Sequence, residues 1–163
     1  MKSLPFNNFL HSIIPAWGGK IEFTLNEYGI TEPVLETCID GPEKEGVYQI
    51  NLADFDVRLK PDVEYEWFLI IVPDPDERSA DFLASATIMY VMPSENLAKS
   101  LKQTPADKLY HLYAGKGYWY DSIDNLSKLI ETRPDDKILR SHRAVLLEQV
   151  KLGKAIDYDK KLL

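Results

Sequence analysis

The chain has 163 residues, of which 45% are hydrophobic and 28% charged, a balance typical of one globular domain or of a small domain with an appendage. Its 19 basic and 26 acidic residues give a formal net charge of −7, and the basic residues are scattered. This argues against nucleic acid or an anionic membrane surface as a partner. The presence of one cysteine, Cys38, excludes an intramolecular disulfide and a cysteine-based metal site.

The N-terminal stretch "MKSLPFNNFLHSIIPAW" does not have the pattern of a signal peptide. Prolines, asparagines and a histidine interrupt its apolar residues, and no small-residue cleavage site follows. No run of the sequence approaches the roughly 20 apolar residues that a membrane span needs, so we expect none. Together with the absence of a disulfide, this predicts a cytoplasmic location for the chain as it stands. The alternative is a periplasmic location, if a signal peptide has been removed.

Up to about residue 92 the apolar residues follow the period of two that indicates strands. The stretch "KIEFTLNE" predicts a half-buried strand, whereas "ITEPVLETCID" and "GVYQINLADF" predict shorter ones. Pro33 marks an edge or a bend, because proline cannot donate to a ladder. Cys38 is predicted to be a small, buried residue of its strand.

Two longer strands follow, on either side of a polar turn. The stretch "EYEWFLIIV", residues 64–72, is apolar on both faces, which predicts a central strand that is covered on both sides. Residues 80–92 have the same pattern, and the turn "PDPDERS" between the two predicts a long antiparallel hairpin. Short strands at close spacing, without helices between them, favour an antiparallel β-sandwich-like domain over residues 1–92.

From residue 93 to residue 163 the apolar period becomes that of helices. Capping residues, prolines and glycines divide this part into three or four short antiparallel helices. The residues expected at the boundaries of these helices are Ser94, Thr104, Pro105, Gly117, Pro134, Lys151 and Gly153.

The spacing within this helical part resembles one tetratricopeptide repeat, whose signature extends over about 34 residues. Ala106 and Tyr110 depart from it, since Trp and Gly are usual at those positions. A lone repeat cannot bury its apolar face, so we expect residues 93–163 to pack on the sheet as one compact unit with it. The helix from Ser94 to Gln103 is predicted to make this contact. The residues that match the signature are Leu109, Tyr113, Ser122, Leu126 and Pro134.

Three consecutive aromatic residues, Tyr118, Trp119 and Tyr120, begin the second helix of this repeat-like unit. Successive helical residues point about 100° apart, so one surface cannot bury all three. We expect Trp119 to pack into the junction between helices and sheet, because large aromatic side chains dominate cores. The alternative is that Tyr118, Trp119 and Tyr120 form an exposed partner-binding site, since Trp and Tyr are enriched at interface hot spots.

Residue types that could carry catalysis are dispersed along the sequence. His11, His111 and His142 lie in different segments without a second His or Cys at metal-ligand spacing, and the latter two are expected to be solvated helix residues. The acidic loop "DPDERSAD" could hold calcium, but it lacks the glycine and the distal glutamate of an EF-hand, so a solvated turn is favoured. No phosphate-binding loop or nucleophile elbow occurs. We therefore predict no catalytic residue, no metal ligand and no cofactor.

Several motifs together resemble the bacterial, largely cyanobacterial, family called domain of unknown function 928. These are the Tyr-x-Trp strand at Tyr65 and Trp67, the turn "DPDERSAD", the aromatic turn at residues 114–121 and the later "PDD". The stretch "SIIPAWGGKIEFTL" is also similar to the first strands of that family. Its members often begin with a signal peptide, which is absent here, so an envelope location is not carried over. The association of some members with CHAT-type proteases implies a role as a partner or substrate of such a system.

The sequence thus predicts an α+β protein, in which an antiparallel β-sandwich-like part is followed by a short, tetratricopeptide-like helical segment packed on it. The function predicted first is a non-catalytic protein–protein interaction or accessory module of a larger assembly, with another protein as its partner. One alternative is a carbohydrate or cell-envelope binding domain. The other is a hydrolase whose site the sequence motifs do not reveal.

Overall fold

Strands precede α-helices in the computed structural model, which describes residues 2–3, 9–149, 157 and 159–160. The strands are β1 (Lys2–Ser3), β2 (Phe9–Ile14), β3 (Lys20–Glu27), β4 (Leu35–Asp40), β5 (Gly46–Asn51), β6 (Glu64–Ile71) and β7 (Phe82–Tyr90). The α-helices are α1 (Glu95–Gln103), α2 (Leu109–Gly115), α3 (Trp119–Thr132) and α4 (Lys137–Gln149). Residues 52–55, 78–80 and 106–108 form short 3-10 helices. The predicted α+β class is confirmed, with the change from strands to helices near residue 92.

The strands form two sheets. The larger has the order β1-β7-β6-β3-β4, and the smaller pairs β2 with β5. All pairs are antiparallel except β1 with β7, which is parallel. β6 and β7 form the predicted hairpin around the turn at residues 73–79, with Leu69 opposite Ala84. The parallel strand β1 has no counterpart in the sequence predictions, because two residues carry no periodic signal.

One hydrophobic core lies on one face of the larger sheet, which we call the inner face. Alternate residues of β3 and β6 point into it, as the period of two predicts. The β2–β5 sheet adds Ile14 and Ile50, and α3 adds Ile123 and Leu126. Burial of each large apolar side chain contributes about 1.5–3 kcal/mol, so this shared core is what joins sheet and helices. The buried residues of β3 and β6 are Ile21, Phe23, Leu25, Tyr65, Trp67, Leu69 and Ile71.

The two faces of β6 are buried to different degrees, contrary to the prediction that both are covered. On the outer face, away from the core, Phe68 and Ile70 are only half-buried, whereas Trp67 and Leu69 on the inner face are buried. Their neighbours on β3 are polar, since Ile70 lies opposite Glu22 and Phe68 opposite Thr24. The apolar residues of β6 thus lie on an outer face that also carries polar residues. The sequence of β6 alone does not show which side chains of the neighbouring strand lie beside them.

The prediction for Cys38 is correct about its strand and wrong about its burial. Cys38 lies on β4 opposite Glu22, and its side chain is exposed. β4 is an edge strand of the larger sheet. Because Cys38 shares the outer face with Glu22, the core does not reach it.

The helices pack on the sheets through α3 rather than through α1. α3 contacts β1 and β2, and it also packs against α2 and α4. In α1 only Leu97 is buried, although Ser94 caps the helix as predicted by accepting a hydrogen bond from the Leu97 N–H. The predicted docking role of the helix from Ser94 to Gln103 is therefore wrong. α1 is strongly polar apart from Leu97, Ala98 and Leu101, so it has little apolar surface to bury.

The turn between α2 and α3 follows the sequence prediction, since Gly117 has a φ of 78° that favours glycine. The tetratricopeptide likeness itself, and a domain boundary at residue 92, stay predictions. α4 is described as far as Gln149, so the predicted end of this helix at Lys151 and Gly153 lies outside the described residues.

A buried ion pair ties the last described residues to α4. Arg143 donates from Nε to Asp159 Oδ2 at 2.8 Å and from Nη2 to Asp159 Oδ1 at 2.7 Å. The side chains of Arg143 and Asp159 are 6% and 0% exposed. A third N–H of Arg143 donates to Ser127 Oγ at 3.1 Å on α3. The guanidinium therefore joins three segments of the chain.

We expect Asp159→Ala to lower the free energy of unfolding by about 3–5 kcal/mol, because it leaves the buried Arg143 charge uncompensated. The matched control is Asp40→Ala, which breaks the Lys20–Asp40 pair, where both side chains are well exposed. That change should cost less than about 1 kcal/mol. Urea denaturation of both variants measures the difference, and equal effects would contradict the role given to the buried pair.

Candidate functional site

An apolar groove of about 660 Å³ opens at one corner of the inner face. Its floor is formed by Ile21 of β3 together with Leu69 and Ile71 of β6. The register brings these residues together, since Ile71 lies opposite Ile21 on one side and opposite Phe82 on the other. The segment 14–17 forms one wall and the beginning of β7 forms the other. The groove is thus assembled from four separate parts of the sequence.

Trp17 is held in the first wall by hydrogen bonds at both its backbone and its ring. Its N–H donates to the Pro42 carbonyl at 2.8 Å, and its indole Nε1 donates to the Lys20 carbonyl at 3.0 Å. Two glycines make room for it. A Cβ at Gly19 would lie 2.9 Å from Trp17 Nε1, and one at Gly41 would collide with the Trp17 carbonyl oxygen. Gly19 therefore serves close packing, a role that the sequence analysis missed.

The second wall is the most exposed apolar part of the sheet. Phe82 is 62% exposed and points to the inner face beside Ala84, whereas Leu83 is 63% exposed and points to the outer face opposite Ile70. A large exposed apolar side chain beside an apolar groove often indicates a binding surface. The sequence analysis assigned these residues to a strand and did not mark them as a site.

Asp81 is an ionisable residue that lines the groove. Its Oδ2 accepts from Arg78 Nε at 2.7 Å. Its Oδ1 is buried and has no hydrogen-bond partner among the described residues. The other N–H groups of Arg78 donate to the two carboxylate oxygens of Glu22 at 2.8 Å each, which lowers the pKa of Glu22. Because Oδ1 is buried, it is not exposed to a molecule in the groove, and as an acceptor without a donor among these residues it is a local cost to stability.

The aromatic triplet Tyr118, Trp119 and Tyr120 is buried, with exposed fractions of 5%, 8% and 0%. Its members point in three directions, as helical geometry requires. Tyr118 Oη donates to the Met92 carbonyl at 3.4 Å, and Trp119 Nε1 donates to the Leu146 carbonyl of α4 at 3.1 Å. Trp119 is part of the core that the helices and sheets share, and the hydrogen bonds to the sheet come from Tyr120. The triplet thus joins elements of the fold, and a partner-binding role for it stays a prediction.

Tyr120 links α3 to the middle of the inner face. Its hydroxyl accepts from Trp67 Nε1 at 2.9 Å and donates to the Thr87 carbonyl at 3.1 Å. Burial raises the pKa of the Tyr120 hydroxyl well above its usual value. The hydroxyl therefore keeps its proton, which it needs in order to donate to Thr87.

Two of the histidines, which sequence spacing places apart, lie together on the helices. The rings of His111 and His142 are 5.2 Å apart, and Tyr110 Oη lies 2.9 Å from His142 Nδ1 in a hydrogen bond. The pKa of His111 is lowered by burial and by the neighbouring charges of His142 and Lys108. His142 is half-buried, so the expectation of a solvated histidine holds for the exposed His111 alone. None of these three residues lines the groove.

The acidic loop before β7 is an exposed turn in which Asp74 Oδ1 accepts from the Asp76 N–H at 2.9 Å. Within residues 2–3, 9–149, 157 and 159–160, no group of three or more His, Cys, Asp and Glu side chains is placed to hold a metal ion. None of the helices in this described part is long and apolar enough to cross a membrane.

The comparison with protein families decides where the chain belongs. A family model described as Domain of Unknown Function (DUF928) matches residues 6–159. The chain belongs to this family. The DUF928 match includes both walls of the groove and the aromatic triplet, so the candidate site lies within the region that defines the family. No curated protein is significantly similar to the chain. Since the DUF928 description names no activity, a function has to be argued from the site.

Tyr120→Phe should lower the free energy of unfolding by about 1–3 kcal/mol, because the buried indole N–H of Trp67 loses its acceptor. Tyr28→Phe removes the same hydroxyl from a side chain that is 77% exposed and should leave stability unchanged. Denaturant unfolding of both variants compares the two positions. A Tyr120→Phe protein as stable as the Tyr28→Phe control would contradict this role of Tyr120.

The stabilisation from Tyr120 should also depend on pH. Its pKa is raised in the folded protein above the unfolded value of about 10. At higher pH the unfolded chain releases this proton while the folded chain retains it, so stability falls as pH rises. The contribution is therefore complete below pH about 10 and is lost above it.

The measurement is the free energy of unfolding from pH about 8 to about 11 for the natural sequence and for Tyr120→Phe. The difference between the two proteins should be constant up to pH about 10 and then decrease. Other tyrosines titrate in both proteins, so the difference isolates Tyr120. Parallel curves over the whole range would contradict the prediction.

Proposed function

We propose that this member of the DUF928 family is a non-catalytic protein-interaction module, an accessory of a larger assembly, which binds apolar side chains of its partner in the groove beside β7. The observation that carries the proposal is the exposed ring of Phe82 beside an open, mostly apolar groove of about 660 Å³. A volume of this size accommodates several side chains of a partner. Burial of the wall on binding would supply the hydrophobic driving force.

The chemistry of the groove supports binding rather than catalysis. General acid–base catalysis needs a titratable group within reach of the substrate, usually with a second group that orients it. Asp81 lines the groove, but Arg78 holds one of its oxygens. His142 is hydrogen-bonded to Tyr110, its neighbour His111 packs on both rings, and neither histidine lines the groove. Hydrolase activity is therefore the weaker candidate.

A carbohydrate or cell-envelope ligand is the second candidate, favoured by one observation. Trp17 and Phe82 line the groove from opposite walls, and aromatic rings can pack on the apolar face of a sugar. A sugar also needs several hydrogen-bonding side chains around it. The groove is lined by apolar residues and Asp81, so it fits protein side chains better than it fits a sugar. A partner from a CHAT-type protease system remains part of the proposal on the family resemblance alone.

Two probes test the proposal directly, a displayed library of random linear peptides and a glycan array. The purified chain should enrich peptides with large apolar residues and should bind no glycan. Ala84→Trp fills the groove from an exposed position and should weaken the selected peptides at least about tenfold. Ala106→Trp places the same side chain on an exposed 3-10 helix and should leave their binding unchanged.

Circular dichroism and thermal unfolding confirm that both variants are folded before binding is compared. Failure to enrich any peptide would overturn the protein-interaction proposal. Glycan binding that Ala84→Trp abolishes would replace it with the second candidate.

A further inference from the structure

β7 has an open edge along its first half. In the larger sheet β6 lies on one side of β7 and β1 on the other. β1 reaches only the end of the strand, where Lys2 lies opposite Met89 and Ser3 opposite Tyr90. Among the described residues, no strand pairs with the outer edge of β7 from Phe82 to Ser85. These four residues are exposed.

Two hydrogen bonds show which backbone groups of β7 point to this edge. The Val91 N–H donates to the Ser3 carbonyl of β1 at 2.9 Å, and the Thr87 carbonyl accepts from Tyr120 Oη at 3.1 Å. In an antiparallel strand, backbone groups alternate between the two sides with a period of two. Positions 83 and 85 have the same parity as 87 and 91. The N–H and C=O groups of Leu83 and Ser85 therefore point to the open edge.

β7 and β4 differ in how their outward edges are protected. Natural proteins place charged residues on edge strands to prevent pairing with other chains. β4, at the far edge, carries Glu36 and Asp40. β7, "FLASATIMY", has no charged residue and no proline over nine residues. An edge strand that lacks these devices is suited to receive another strand.

The groove continues along this edge. Its lining includes Phe82 and Ala84, which point to the inner face, and Asp81 and Leu83, which have the opposite parity. A strand laid beside β7 would therefore place alternate side chains into the groove.

The geometry points to β-strand addition as the way in which this groove binds its partner. An extended segment of another polypeptide pairs with Leu83 and Ser85 of β7 and inserts alternate apolar side chains into the groove. The inference rests on the proposed function and specifies the partner. Since the net charge of the chain is −7, a segment that carries basic residues is the expected partner.

A second copy of this chain fits the groove less well. In the antiparallel register that matches Leu83 with Ser85 of the second copy, Phe82 would lie opposite Ala86 and Ala84 opposite Ala84. The groove would then receive only methyl groups from the facing strand and would remain largely empty. A segment with larger alternate side chains fills it.

The test uses the full chain and the highest-affinity linear peptide selected from the random library. The first measurement is an N-methyl scan of that peptide, in which each backbone N–H is replaced in turn. A peptide that adds as a strand should lose affinity about tenfold or more at every second position and little at the positions between. This result does not depend on the folding of any protein variant.

The second measurement is made on the protein. Ser85→Pro removes an N–H that points to the open edge, where proline is tolerated. It should weaken the unmodified peptide at least about tenfold. The matched control is Cys38→Pro on β4. The Gly41 N–H donates to the carbonyl of Gly19, which precedes the neighbouring strand, and Cys38 has the opposite parity, so the Cys38 N–H points away from the ladder. This change should alter binding less than about twofold.

The outcomes separate this inference from the proposed function. Peptide binding that Ala84→Trp abolishes, but that shows no alternation in the N-methyl scan, would overturn strand addition and leave the interaction module in place. Enrichment of no peptide would overturn both. Self-association in sedimentation experiments that Ser85→Pro abolishes would overturn the inference in favour of a second copy.

Discussion

The hydrogen-bonded link from Trp67 through Tyr120 to Thr87 determines how the two halves of the chain meet. It fixes α3 on the inner face at the middle of β6 and β7, where the side chains are buried. α2 and α4 pack against α3, so their positions follow from the same contact. The β2–β5 sheet shares the same core. The corner of the inner face at Ile71 and Phe82 lies beyond this packing and remains open as the groove.

The same link also bounds the open edge of β7. Tyr120 occupies the outward carbonyl of Thr87, and β1 begins two residues later at Met89. The unpaired part of β7 therefore ends at Thr87, where Tyr120 of α3 bonds to the strand. Groove and edge both lie at the first half of β7, before the residues that bond to Tyr120 and pair with β1.

The sequence predicts the elements of this fold better than their arrangement. Alternation in "KIEFTLNE" and "EYEWFLIIV" identifies the strands and their core faces, because side-chain direction in a strand is set locally. Helical periodicity likewise gives the relative directions of Tyr118, Trp119 and Tyr120. It does not give the rotation of α3 on the sheet, which depends on the distant Trp67. For this reason the sequence does not identify Tyr120 as the residue whose hydroxyl bonds to the sheet.

The candidate site escaped sequence analysis for a related reason. Its parts come from residues 14–17, 21, 69–71 and 81–84, and no local pattern joins them. Gly19 carries no local signal of its role, which the structure shows to be close packing against the Trp17 indole. The lack of charge along β7 is readable in the sequence, but it identifies an open edge only when the strand order is known. In a buried central strand the same composition is ordinary.

The histidine pair and the apolar groove lie in different parts of the molecule, and this separation bears on function. The histidine pair lies on α2 and α4 with Tyr110, whereas the groove is walled by segment 14–17 and β7. A catalytic site would need reactive groups inside the pocket that holds the substrate. Here the residues that line the pocket are mostly apolar, and Arg78 holds the carboxylate of Asp81. Shape, apolar side chains and main-chain hydrogen bonds are the features through which we propose that such a surface recognises an extended polypeptide.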